Sequence, residues 1–251
     1  MEEIAAPSLP RRVRVQLGLQ RVLCVLLSPL TLGATALGLR GFLRLRFVGL
    51  GPLRTAYRGD RAEGGPLLVC ANHLTMIDSF LIAYALGAPS WYLFHPRAVP
   101  WNVPDRTVFA ERRWQRLLLY AFKCLPIERG GTRSSVAGTL ARFTHLLRSG
   151  GVGMVFPEGG RSRSGCVELD SAAWGVGRVV RGGGCRVLCV YLRGDAQKGY
   201  SAMPARGDTI RARMSLFEPK TDLRGVRASR EISRQILTRL AEMEAEHFAA
   251  A

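Results

Sequence analysis

His73 and Asp78 stand where a short apolar run, Pro66 to Ala71, gives way through polar Asn72 to a helix-like stretch. The crevice between a strand end and the following helix is where α/β proteins place ligands. An Asp five residues on, in the first turns of that helix, can lean back toward the imidazole. Bonded to one ring nitrogen, it fixes the tautomer and raises the basicity of the other, as a general base working on a hydroxyl requires. Taken alone, the pair also fits a helix-start acid beside a loop histidine. The other three histidines carry less chemistry. His145 and His247 sit among helical apolar neighbours, and His95 precedes Pro96 in a loop.

Two further clusters favour an anion. Phe156 to Gly165 (FPEGGRSRSG) joins Glu158 to the glycines Gly159 and Gly160, to Arg161 and Arg163, and to two hydroxyls. Glycines let a backbone approach a ligand closely, and Arg forks clamp phosphate. Arg129 stands beside Gly130 and Gly131 ahead of a helix, a second place for an anion. Neither cluster matches GxxxxGK[ST] or GxGxxG, so a nucleotide fold of those kinds is not expected. The six scattered cysteines form no CxxC, which argues for a reducing compartment, buried thiols and no metal site.

Elements that could position these residues can be read from periodicity. Strands are expected at 66–71, 90–94, 153–156, 187–192 and 209–217. Helices are expected at 79–86, 114–122, from Thr132 to about 149 and from about 229 to 247. Their alternation argues for an α/β fold, one sheet sandwiched between helices. It falls into an N-terminal segment, 1–46, and a compact domain, 47–251.

That N-terminal segment is unlike the rest. Between Arg11 and Arg58 lie nine Arg and no acid, and Val22 to Leu39 is an uncharged run of eighteen bracketed by Arg21 and Arg40. The run is near the length of a bilayer span, yet it contains Pro29 and several small polar residues. Two amphipathic helices meeting near Pro29 on anionic lipid are therefore expected, with a span and a cleaved signal peptide as alternatives. The whole chain carries +17, with three Lys (Lys123, Lys198, Lys220) among 36 basic residues and 33 Arg. Such a balance favours a phosphate-bearing partner. A nucleic-acid partner is disfavoured, because the basic stretch is interleaved with aliphatic rather than stacking aromatic residues.

Together the clusters resemble the glycerolipid acyltransferase family. Asn72-His73 with Asp78 is similar to its NHxxxxD block. Phe156 to Ser162 (FPEGGRS) is similar to FPEGTRS, with Gly160 for Thr, and Pro126 to Arg129 is similar to its second block. Val187 to Tyr191 has the strand of the fourth block but no Pro. The resemblance covers roughly 47–220 and implies a single mixed sheet flanked by helices. It also implies O-acyl transfer from acyl-CoA or acyl carrier protein to 1-acyl-glycerol-3-phosphate, with no cofactor or metal. His73 would be the base and Asp78 its orienting partner, Glu158 and Gly159 would hold the acceptor's polar head, and Arg129 and Arg161 its phosphate. The expected setting is the cytoplasmic face of the inner membrane. A lyso-amino-acid lipid, a glycolipid or a specialised-metabolite alcohol is the alternative acceptor, and the segment Arg193 to Lys220, outside the family pattern, could set that choice.

Overall fold

The structure, a computed structural model, describes residues 9–249; the first eight residues of segment 1–46, and residues 250–251, lie outside that description. Its centre is one six-stranded mixed sheet in the order β1-β6-β5-β2-β4-β3. The strands are β1 (Arg46–Val48), β2 (Leu67–Ala71), β3 (Trp101–Asn102), β4 (Val152–Val155), β5 (Arg186–Gly194) and β6 (Thr209–Phe217). Only β5 and β6 pair antiparallel; the other neighbours are parallel. The central strands are apolar on both faces, as a sheet covered on both sides requires.

Alternation along those strands divides the core in two. Leu68 and Cys70 of β2, with Val187, Cys189 and Tyr191 of β5, face α7 (Arg133–Arg148), α8 (Trp174–Gly183) and α9 (Gly225–Ala249). Leu67, Val69 and Ala71, with Leu188, Val190 and Leu192, face α2 (Leu50–Glu63), α3 (Asp78–Leu86) and α4 (Pro89–Phe94). Two further short helices, α5 (Arg106–Phe109) and α6 (Arg113–Ala121), lie outside this second layer with no buried residue in either.

Two expectations are corrected. Residues 90–94 are helical, not a strand, because Pro89 sits in the first turn of α4, where its fixed φ suits a helix. The N-terminal segment is not two helices meeting at Pro29: α1 (Arg11–Ala36) runs through Pro29 and continues as a π-helical turn, Leu37–Phe42. Pro29 deprives the Val25 carbonyl of its N–H partner, and the Ser28 hydroxyl donates to that carbonyl at 2.7 Å instead. Arg11–Phe42 is by length and composition able to cross a membrane. Its inward side packs on the domain, with Gln20 and Cys24 donating to the Tyr120 carbonyl, while Leu19, Leu26, Leu30 and Leu37 stay exposed.

Candidate active site

The β2–α3 loop is built around Asp78, the first residue of α3, where the exposed N–H groups of a helix start favour a carboxylate. One Asp78 oxygen accepts from His73 Nδ1 at 2.9 Å, Leu74 N at 2.6 Å and Thr75 N at 2.8 Å; the other accepts from the Thr75 hydroxyl. Asp78 is buried and thus fixes both the backbone and the imidazole. With Nδ1 committed to Asp78, Nε2 is the nitrogen left for a ligand.

Three neighbours hold His73 from other sides. Phe156 stacks on the imidazole with centroids 3.9 Å apart and planes 12° from parallel. The register of β2 against β4, Cys70 opposite Val155, brings that ring alongside. The His73 carbonyl accepts from Ser162 N at 2.9 Å, tying the third block to the first. Asn72 exchanges two hydrogen bonds with the Leu192 backbone, at 3.0 and 2.8 Å, and so extends the β2–β5 ladder by one side chain. Sequence reasoning missed the parts played by Phe156 and Asn72. Phe156 was legible as the residue after a strand parallel to the one before His73.

His73 lines a cavity of about 680 Å³ whose walls are mostly apolar. Of the four histidines it is the one on this wall. The cavity follows one face of α3, past Ser79, Phe80 and Ala83 to Gly87 just beyond its end, a run of about 12 Å. Val25, Ser28 and Leu32 of α1 and Trp114, Leu118 and Leu119 of α6 close the other side. Buried Lys123 lies on the wall, donating to the Pro96 and Val99 carbonyls at 2.7 and 3.0 Å; burial lowers its ammonium to about 8.

Near His73 the wall becomes cationic, with Arg129, Arg161 and Arg163 beside Gly160 and Tyr200. Arg129 donates to the Gly159 carbonyl and lies 3.6 Å from Asp105, which keeps its side chain between the second and third blocks. The Arg161 guanidinium lies over the Tyr200 ring, 5.5 Å from its centroid. Tyr200 belongs to a loop joined to the first block: Ser201 N donates to the Leu74 carbonyl at 2.9 Å, and Met76 N to the Ala202 carbonyl at 3.1 Å. Buried Arg193 anchors this loop and the third block together, donating to the carbonyls of Gly165 and Gln197. Nothing in the sequence pattern marked that role.

Glu158 and Gly159, assigned from the resemblance to the acceptor's head, do not line the cavity. Glu158 is buried and neither carboxylate oxygen completes a hydrogen bond. Burial pushes its carboxyl up to about 7, and the Glu168 and Glu244 carboxylates push the same way; the backbone N–H groups of Glu168 and His73 favour the charged form more weakly than burial opposes it. Gly159 holds φ +71°, a conformation glycine adopts freely, and that turn directs Gly160 and Arg161 toward the cavity.

A single sheet with an acid-braced imidazole at one strand end, opening on an apolar cavity, makes this an α/β domain with a base poised beside room for a chain. Residues 50–193 match the family model described as Acyltransferase. The match covers more than half of the chain and spans all the blocks above, so the protein belongs to the glycerolipid acyltransferase family and is an acyltransferase. The segment beyond Arg193 lies outside the match. No curated protein matches the chain.

Proposed function

We propose that the protein transfers a fatty acyl group from acyl-CoA or acyl carrier protein to the free hydroxyl of 1-acyl-sn-glycerol-3-phosphate, giving phosphatidic acid. The observation that carries this reading is that one cavity is apolar along α3 and cationic beside His73. An acyl chain fits the first part and a phosphate the second. His73 Nε2 takes the proton of the acceptor hydroxyl as its oxygen attacks the thioester carbonyl carbon. The tetrahedral adduct then collapses, the C–S bond breaks, and the thiolate leaves with the proton that His73 returns. Asp78 holds the imidazole in the tautomer that this needs and stabilises the imidazolium between the two steps. The acceptor is itself the nucleophile, so no covalent enzyme intermediate is formed, and the proposed steps call on neither cofactor nor metal.

Arg129 and Arg161 bind the acceptor phosphate in this proposal, with Arg163 beside them. Glu158 is left to shape the loop that carries Arg161 rather than to touch the substrate. Residues 1–46 are the membrane anchor and 47–251 the catalytic domain. The protein lies on the cytoplasmic face of the inner membrane, where thioester donors are available and both lipids reside, and it has no nucleic-acid partner. The test is thiol release from oleoyl-CoA with lysophosphatidate in mixed micelles. Arg161→Ala should raise the acceptor KM by about tenfold, the worth of one charge-assisted pair, and leave the thioester KM in place; equal effects on both would remove the phosphate role.

One observation favours a second reading, the same chemistry on another hydroxyl lipid. Tyr200, from a segment outside the family match, stands on the cavity wall under Arg161. A panel of hydroxyl lipids separates the two readings: preference for a glycerol phosphate backbone supports the first.

A further inference from the structure

Helices α5 and α6 are apolar where a surface helix is usually polar. No residue of either is buried. Yet Val108 is 51% exposed, Trp114 55%, Leu117 64% and Leu118 49%. Single exposed apolar residues are ordinary, but four within eleven positions form a patch that water penalises. Around them are the exposed Arg106, Arg112, Arg113 and Arg116, with Glu111 as the one acid between Arg106 and Tyr120. Val108, Trp114 and Leu118 also line the cavity, so this apolar surface runs up to the cavity, while Leu117 lies off it.

We propose that α5 and α6 form a second lipid contact, which seats this side of the cavity on an anionic bilayer in addition to α1. Apolar side chains ringed by Arg, with a Trp among them, match the boundary between headgroups and acyl chains. The arginines complement anionic headgroups, each adding attraction at the surface. The packing of α6 against α1, through Gln20, Cys24 and Tyr120, makes the two apolar surfaces neighbours. The inference rests on the membrane-surface reading above and adds to it the place where a chain crosses from bilayer to cavity, between α1 and α6.

The test uses the full chain carrying Leu117→Cys in a Cys166→Ser background, because the other five cysteines are buried. Position 117 is labelled with a polarity-sensitive thiol dye, and a matched sample carries Arg230→Cys on α9 instead. With phosphatidylglycerol-containing vesicles, emission at 117 should shift to the blue and be quenched by brominated lipid, while emission at 230 should not change. Leu117→Glu should weaken partition into those vesicles by about tenfold, the loss expected from one leucine side chain leaving lipid. Vesicle binding with the label at 117 still in water would overturn the inference and leave α1 as the anchor. Absence of vesicle binding would overturn both the inference and the membrane reading. A blue shift without vesicles that grows with protein concentration would overturn it in favour of a second copy of the chain.

Discussion

The two faces of the sheet are covered in different ways. Behind it, α7, α8 and α9 close tightly on the strands: Phe143, Leu147, Ile236 and Leu240 are fully buried. Helices α8 and α9 approach so closely that a Cβ on Gly177 would meet the Ser229 carbonyl oxygen at 2.0 Å. In front, α2 and α3 close part of the face, but α5, α6 and the middle of α1 surround the cavity and leave apolar side chains exposed. Density on one side and room on the other is what a rigid support and a chain-binding pocket each need. The catalytic loop lies at the seam. Its polar atoms are fully used on Asp78, while His73 Nε2 is left open to the roomy side.

This contrast can be broken with substitutions of similar size on the two sides. The largest stability loss is expected behind the sheet: Ile236→Ala removes a fully buried side chain and should cost about 2–5 kcal/mol in denaturant unfolding. A smaller effect of opposite sign is expected at Glu158. Its carboxyl pKa is raised in the folded chain, so the native state binds more protons than the unfolded one between the unfolded value of 4.5 and about 7. The stability tied to the neutral form is complete below 4.5 and is lost as pH rises through about 7. Glu158→Gln should therefore be near neutral at pH 4 and stabilise by on the order of 1–2 kcal/mol at pH 8, after allowance for partial solvent screening. The smallest change belongs to the front layer: Leu117→Ala should move unfolding in detergent-free buffer by no more than about 0.5 kcal/mol. A loss there comparable to Ile236→Ala would mean that α6 is part of the core and the contrast is wrong.

Much of this was legible in the sequence, and the exceptions have physical causes. Strands β2, β4, β5 and β6 and helices α3, α6, α7 and α9 follow from apolar runs and periodicity, with Thr132 capping α7 through a 3.3 Å bond from Ser135 N. Helix α8 was hidden because its sequence, WGVGRVVRGG, is rich in glycine, and one of those glycines is needed for the crossing with α9. Strands β1 and β3, with three and two residues, are too short to carry a period. The uninterrupted passage of α1 through Pro29, where the Ser28 hydroxyl takes up the Val25 carbonyl, is something no hydropathy pattern reveals. At the site, His73 and Asp78 were found because their spacing is local. Where Glu158 turns and what Arg193 ties together depend on contacts between distant segments, and motif reading assigns no direction to a side chain.

The central claim is that His73, oriented by Asp78, is the base of the acyl transfer. It is tested most directly by thiol release from oleoyl-CoA with lysophosphatidate, wild type against His73→Ala, with both melting curves recorded. The account predicts a fall of about 10²–10⁴ in turnover with the melting curve retained. Equal turnover in the two proteins would contradict it and remove His73 from the chemistry.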